Sequence, residues 1–278
     1  MIDIKDLENL EYTMKIKYEK IDSTNQEAKR LIKEDKESKL KDNINLIYAD
    51  YQTNGKGTKG HTWNSNGDDI YMTITSKIED NLNYPKLMMY TSISIIKILE
   101  KYIDEKKSKD IKVKWPNDIY IKDKKIAGIL FEKIIKGEDH FILIGIGLNV
   151  NRKIDSLEND NRKITSIYLE ENKAVRKDKI IEEIYLLIEE FLKDQNKSDK
   201  NNEINYKINY EDIYKEYLDK SLILNKNIEI VNLKNDMKKE KYLVKNILKN
   251  GKLICLNNNT NKEEKFLFND IDIISINK

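Results

Sequence analysis

Lys112-Val113-Lys114-Trp115-Pro116-Asn117-Asp118, with Lys125-Ile126-Ala127-Gly128-Ile129-Leu130 behind it, is the stretch on which the reading of the fold turns. Trp115 is one of two tryptophans and Pro116 one of two prolines in the chain. Setting both beside Asn117 and Asp118 at a strand end suggests a built corner rather than a casual loop. Residues 111–114 read as the strand that enters it. Residues 119–121 and 126–130 flank the polar turn 122–125, the pattern of a hairpin. A lysine at such a corner can project its ammonium into a pocket as a point charge. The bland alternative is a rigid turn with Asp118 as an Asx-type or helix-cap acceptor.

Working outward, the N-terminal side predicts a helix from Ser23-Thr24-Asn25-Gln26-Glu27, where Ser23/Gln26 or Thr24/Glu27 have capping-box spacing. Residues 45–50 read as a buried strand, and 70–75 alternate with the period of a half-buried one. Pro85 stands where a first helical turn begins, and Met88, Ile95, Leu99 and Tyr102 continue a long core helix. On the other side, 141–150 reads as an apolar strand and 177–193 as a helix with Ile180, Ile184, Leu187 and Phe191 on one side. The Asn/Lys-rich stretch 194–203 has little to bury and reads as a surface loop. From about residue 221 the texture becomes short strands at 228–230, 242–244, 253–256, 266–268 and 271–274, which fits a small β-barrel. The expected fold class is therefore α+β: a mixed-sheet domain over 1–220 and a small all-β domain over 221–278.

Two further segments carry more than folding needs. Gln52-Thr53-Asn54-Gly55-Lys56-Gly57-Thr58-Lys59-Gly60-His61-Thr62-Trp63 has the glycine density that lets backbone N–H groups approach an anion, with lysines adding charge. It lacks the Gly-Lys-Ser/Thr ending of a P-loop, and a flexible hairpin tip explains it equally well. Ile144-Gly145-Ile146-Gly147-Leu148-Asn149 places two glycines inside an apolar strand, where something must come close to the backbone. Asn149 would then present an amide at the strand end. No third glycine and no helix start follow, so a dinucleotide fingerprint is weak.

Composition narrows the classes. With 278 residues the chain allows one large domain or two unequal ones at roughly 150 residues each. Lys plus Arg number 51 against 49 Asp plus Glu, and that balance argues against a dedicated nucleic-acid binder. One cysteine, Cys255, and two histidines, His61 and His140, exclude an intramolecular disulfide, a thiolate cluster and a histidine-rich metal site. These features fit a reducing, cytoplasmic compartment. No signal-peptide pattern and no run of about 18 apolar residues is visible, and the first twenty residues are too few for an independent DNA-binding module.

The three segments, in this order, resemble the biotin protein ligases from about Tyr18 to Asn151. The string at 114–118 followed by Lys-x-Ala-Gly-Ile-Leu at 125–130 is the most specific part. Ser23-Thr24-Asn25, Gln52 and the Gly-x-Gly-x-x-Gly-x-x-Trp loop at 55–63 precede it at the expected places. The resemblance implies a biotin/lipoyl ligase fold of class II synthetase type, with an SH3-like C-terminal barrel. It implies biotin and ATP as substrates with Mg²⁺, a biotinyl-5′-AMP intermediate, and transfer to a lysine of a biotin carboxyl carrier domain of a biotin-dependent carboxylase. Without a winged helix the chain looks like the form that is not a repressor, with no DNA or membrane partner, as monomer or homodimer.

Carried over by position, Lys114 and Lys56 are the catalytic candidates, stabilising charge at the carboxylate–phosphate junction. Ser23, Thr24, Asn25, Gln52, Gly55, Lys56, Gly57, Thr58, Lys114, Gly128 and Gly145 are the biotin-binding candidates. Thr58, Lys59, Trp63, Asn117, Gly147 and Asn149 are the nucleotide candidates, although Trp63 suits packing better than chemistry. Asp118 would orient Lys114 or the attacking lysine. No protein metal cage is implied, because Mg²⁺ would accompany the phosphates. The family loop commonly carries arginines where this chain has Lys56, Thr58 and His61, with Lys59 added between. Lysine cannot reproduce a bidentate guanidinium fork, and threonine has no charge. The expectation is looser retention of the adenylate. Competing readings are a biotin-binding protein with little or no turnover and a lipoyl or octanoyl ligase.

Overall fold

The computed structural model describes residues 14–35, 44–79, 82–153, 163–196, 208–233 and 237–277. Two compact units emerge, each assembled from separate parts of the chain. No helix among the described residues is long and apolar enough to cross a membrane.

The first unit takes residues 1–82, 129–150 and 176–202. Its sheet contains β1 (Lys15–Ile21), β2 (Asn45–Gln52), β3 (Ile70–Ile78) and β7 (Asp139–Leu148), in that order. β1 and β2 are parallel, whereas β2, β3 and β7 pair antiparallel, so the sheet is mixed. Helix α1 (Thr24–Glu34) lies against β2, β3 and β7. Its buried Ala28 and Ile32 join Ile47, Phe141 and Leu143 in one apolar cluster. Each fully buried isoleucine contributes about 1.5–3 kcal/mol, so this stripe rather than intrinsic propensity holds α1 in place.

Helix α5 (Lys177–Asn196) also packs on β3, with Ile180, Ile184, Tyr185, Ile188 and Phe191 buried at helical spacing. β3 is therefore covered more completely than its alternation predicts, and residues 70–76 are all buried. The threonines Thr73 and Thr75 are core residues, not a solvent face. α5 also runs three residues past the expected end at 193, into the stretch read as a surface loop. The remainder of that stretch, from 197, lies outside the described residues.

The second unit takes residues 83–128, 151–175 and 203–278. Helix α2 (Tyr84–Tyr102) starts at Asn83, whose Oδ1 accepts from Lys86 N–H at 3.0 Å, with Pro85 in the first turn as expected. Its middle is buried on every side, and it contacts β4 (Ile111–Lys114), β5 (Asp118–Ile121) and α6 (Tyr210–Asp219). Short helices α3 (Glu105–Ser108) and α4 (Ile167–Glu171) complete the helical part. β4, β5 and β6 (Lys124–Lys136) form the expected meander, and β6 continues from this unit into the first, where it is followed by β7.

The C-terminal sheet is antiparallel, in the order β11-β10-β9-β8-β12. Its strands are β8 (Asn227–Asn232), β9 (Lys238–Ile247), β10 (Leu253–Asn257), β11 (Glu263–Phe266) and β12 (Ile271–Asn277). The fourth strand is shifted from the expected 266–268. Leu267 and Phe268 fall in the turn after it and stand 43% and 41% exposed, because Phe266 alone of the three turns inward.

Candidate functional site

In the first unit, β1 ends at Ile21 and α1 begins at Thr24, so Ser23 occupies the helix N-cap with an extended backbone. The expected capping box does not form: Ser23 makes no side-chain cap bond. Gln52 takes over, accepting the Thr24 N–H on Oε1 at 2.8 Å. This follows from the register, since Gln52 ends β2 directly beside Ile21 of β1. Glu27 is engaged elsewhere, accepting from Tyr18 Oη at 2.7 Å and from Arg30 Nε at 2.7 Å. Arg30 also forks onto Asp22 at 2.9 and 2.6 Å. That guanidinium holds the Asp22 carboxyl down to about 2. The β1–α1 junction is thereby braced from outside.

Behind the junction lies a buried polar chain. Thr24, Asn25, Gln52 and Thr73 are each under 9% exposed. Thr73 Oγ1 donates to Asn25 Oδ1 at 2.5 Å and lies 2.9 Å from Thr24 Oγ1, which is in turn 3.2 Å from Gln52 Oε1. Asn25 Nδ2 donates to Glu132 Oε2 at 2.8 Å, and Glu132 Oε1 accepts from Lys29 Nζ at 2.7 Å. Gly145 is paired with Thr73 in the sheet, and a Cβ there would collide with the Asn25 amide. The space over this glycine is thus filled by Asn25.

Gly147, two residues on and on the same face of β7, is covered by the Trp63 indole, whose ring atoms a Cβ would strike. Trp63 is 8% exposed, and its backbone N–H donates to Gly55 O at 3.0 Å. The glycine loop closes on itself: Lys56 bridges to Thr62, and Gly57 N–H donates to His61 O at 2.7 Å. A 3₁₀ turn at Thr58–Gly60 has Lys59 in the left-handed region at φ 53°. Gly55 has no room for a side chain, since a Cβ would lie 2.5 Å from Trp63 O and 2.9 Å from Gln52 Nε2. Lys56 is exposed, with Nζ donating to Asn54 Oδ1 at 3.2 Å; Lys59 and His61 are exposed and Thr58 half-buried.

At the end of β7, Asn149 is buried and the next N–H, of Val150, donates to Asp69 Oδ1 at 2.8 Å. Asp69 is itself 1% exposed, and Lys177 Nζ donates to Gly67 O at 2.8 Å, tying the 66–69 turn to α5.

In the second unit the Trp-Pro corner is pinned on three sides. Trp115 Nε1 donates to Gly251 O at 3.0 Å, Tyr217 Oη donates to Pro116 O at 2.8 Å, and Lys114 Nζ donates to Ile273 O at 3.1 Å. Lys114 Nζ also stands 5.8 Å from the Tyr120 ring centre. Asn117 is buried, and Gly128 pairs with Asp118 across β5 and β6. Asp118 is 3.1 Å from Lys125 Nζ, so its partner is that lysine.

The structure thus brings Ser23, Thr24, Asn25, Gln52, Gly55, Trp63, Gly145 and Gly147 together in the first unit, and places Lys114, Asn117 and Gly128 in the second. Thr73, Glu132, Asp69 and Lys125 escaped the sequence reading. Lys125 opens the Lys-x-Ala-Gly-Ile-Leu string at 125–130, and only its burial, 7% exposed, separates it from its neighbour Lys124. Thr73 was hidden by the half-buried reading of β3. Among the described residues no group of three or more Asp, Glu, His or Cys side chains forms a metal cage.

Residues 18–149 match the model of the Biotin/lipoate A/B protein ligase family. The bifunctional ligase/repressor BirA of Escherichia coli (strain K12) is 34% identical over 132 residues, 47% of this chain and 38% of that protein. BirA of Bacillus subtilis (strain 168) is 30% identical over 154 residues, 54% of this chain and 46% of that protein. The chain spans under half the length of these curated relatives. Among solved structures, biotin protein ligase from Aquifex aeolicus in complex with biotin and ATP superposes with a TM-score of 0.69 at 21% identity, covering 94% of this chain and 98% of that one. The Leishmania major enzyme in complex with biotinyl-5-AMP superposes with a TM-score of 0.59 at 20% identity, covering 91% and 98%. These superpositions concern the fold, which is the expected α+β arrangement with a mixed sheet and a C-terminal antiparallel sheet consistent with an SH3-like domain. The match to the Biotin/lipoate A/B protein ligase family thus lies in residues 18–149, and the fold is the one seen in the superposed biotin protein ligase structures.

Proposed function

We propose that the protein is a biotin protein ligase. A carboxylate oxygen of biotin attacks the α-phosphorus of ATP, the bond to the bridging oxygen breaks, and pyrophosphate leaves. A lysine amine of a biotin carboxyl carrier domain then attacks the acyl carbon of biotinyl-5′-AMP, loses a proton and displaces AMP. Neither step needs a nucleophilic side chain, so the task is alignment and charge stabilisation. The observation that carries this reading is the buried chain Thr24–Asn25–Gln52–Thr73 above Gly145, a set of neutral donors and acceptors suited to a polar, uncharged ring.

In this reading Ser23, Thr24, Asn25, Gln52, Gly55, Gly57, Thr58, Gly128 and Gly145 shape the biotin pocket. Lys59, Trp63, Asn117, Gly147 and Asn149 serve the nucleotide. Lys56 and Lys114 supply charge, and the burial of Lys125 beside Asp118 favours adding that lysine to them. The internal Gly57–His61 bond means that the loop must give up a backbone donor before it wraps an anion. Mg²⁺ would travel with the ATP phosphates, offsetting their charge. We further infer a catalytic domain over 1–220, a small domain over 221–278, a cytoplasmic setting, no DNA or membrane partner, and a monomer or homodimer.

The test is transfer of labelled biotin from biotin and ATP to a purified carrier domain, with Lys114→Ala and Lys125→Arg alongside. Transfer by the parent is the expected result. Tight biotin binding without transfer would replace the proposal by a binding protein, and transfer of lipoate instead of biotin would replace it by a lipoyl ligase.

A further inference from the structure

Asn25 is held from three directions. Its carbonyl oxygen accepts from Thr73 at 2.5 Å, its amide nitrogen donates to Glu132 at 2.8 Å, and the absence of a Cβ on Gly145 makes the space it fills. The two bonds settle which end of the amide is which, since a hydroxyl can donate to oxygen and a carboxylate accepts only from nitrogen. Lys29 Nζ, 2.7 Å from the other Glu132 oxygen, holds that carboxylate in its aim at the Asn25 amide. An asparagine side chain has two N–H donors and two carbonyl lone pairs. Thr73 and Glu132 use one of each, leaving one donor and one acceptor on an amide that cannot flip.

We propose that Glu132, acting through Asn25, is a positioning residue that determines specificity for a cyclic urea. This deepens the biotin reading and rests on it. The ureido ring of biotin carries N–H donors beside a carbonyl acceptor, so a fixed amide with one spare donor and one spare acceptor meets it in one orientation. A dithiolane or a plain acyl chain offers neither group and gains nothing from the arrangement. Glu132 touches no substrate in this scheme. Its carboxylate, 107 residues away in sequence, orders the amide that does. Lys29 in turn orders Glu132.

The experiment is a double-mutant cycle read by calorimetric binding of biotin and of lipoate to the full chain. Its variants are Asn25→Ala, Glu132→Ala, the double variant and Glu132→Gln. Losing one hydrogen bond to a charged group corresponds to about tenfold in affinity. Each single alanine variant should therefore weaken biotin binding by about tenfold, and the double variant should be no weaker than Asn25→Ala alone. Glu132→Gln retains an acceptor and should recover most of the loss, while lipoate binding should not change across the set. Thermal melts separate unfolding from weakened binding, and Lys29→Met, which removes the group that orders Glu132 but leaves the Glu132 acceptor in place, should weaken biotin binding by less than Glu132→Ala does. Equal losses from Glu132→Ala in the parent and in the Asn25→Ala background would overturn the inference while leaving the biotin reading intact. So would unchanged biotin affinity in Glu132→Ala. A parent chain that binds lipoate and not biotin would overturn the biotin reading, and the urea assignment with it.

Discussion

Gly147→Ala tests whether the second glycine of β7 exists to seat Trp63. A Cβ at this position would lie 2.6 Å from Cζ2 and 2.8 Å from Cδ2 of the indole. Those atoms belong to a rigid ring and cannot rotate away like the end of a flexible chain. Expelling the ring would forfeit burial of an aromatic side chain, about 4–6 kcal/mol at 25 cal/mol per Å². Shifting ring and strand by a few tenths of an ångström is cheaper, in the range of about 1–3 kcal/mol typical of overpacking. The upper part of that range applies, because the Trp63 backbone N–H is tied to Gly55 O, which fixes the main chain, and the residue is buried. A loss of about 2–3 kcal/mol should move the urea midpoint by about 1 M, read by far-UV circular dichroism. Trp63→Leu removes the obstructing ring, so in that background the alanine should cost about 1–2 kcal/mol less. The reasoning fails if Gly147→Ala costs the same in both backgrounds, for the glycine would then serve the strand or a ligand and not the indole.

Two further outcomes are expected. The folded-state pKa of Asp22, about 2, lies below its unbound value of 3.8, so its pairing with Arg30 stabilises fully above about pH 4 and is lost as pH falls toward 2. The melting-temperature gap between parent and Arg30→Gln should be constant from pH 5 to 8 and close below about pH 4, and it should be small, under about 1 kcal/mol, because both partners are over two-fifths exposed. If the proposed ligase reaction holds, Thr58→Arg, which places a guanidinium fork in the glycine loop, should slow release of the adenylate by about tenfold in a dissociation assay; an unchanged rate would show that Lys59 already supplies the charge.

The features legible in the sequence were those carried by residues with few conformational options. Pro116 and Trp115 announced the corner, Pro85 the start of α2, and Gly145 and Gly147 a close approach over β7. β1 was missed because its alternation of lysine with Ile16, Tyr18 and Ile21 is broken by Glu19-Lys20, as suits a half-exposed edge strand. α6 was missed because its stripe is made of Ile213 and Tyr217, and tyrosine carries little weight in an apolar count. Its start was nevertheless visible, with Asn209 capping Glu211 and acidic residues in the first turn. The capping box at Ser23 was misread for a different reason. Local spacing cannot reveal that Gln52, on a strand 28 residues away, supplies the acceptor. Glu132 and Thr73 share that limit, since their importance lies wholly in tertiary partners.

Lys114 and Lys125 show how such partners change the chemistry assigned to a residue. Both lysines sit in the same motif region, yet Lys114 reaches a backbone carbonyl at Ile273, while Lys125 is buried against the carboxylate of Asp118. Truncating Lys125 alone leaves a half-buried carboxylate, 16% exposed, without this counter-ion, a change that costs less than the about 3–5 kcal/mol of a fully buried pair. Loss of activity in Lys125→Met therefore proves nothing by itself. The pair Lys125→Met with Asp118→Asn removes both charges at similar volume, and such replacement of a buried ion pair is close to neutral for stability. The double variant should melt near the parent. If Lys125 supplies charge to the reaction, biotin transfer should stay at the level of Lys125→Met despite the recovered fold. Recovery of transfer together with stability would make the lysine a structural partner of Asp118 and return the charged role to Lys114 and Lys56.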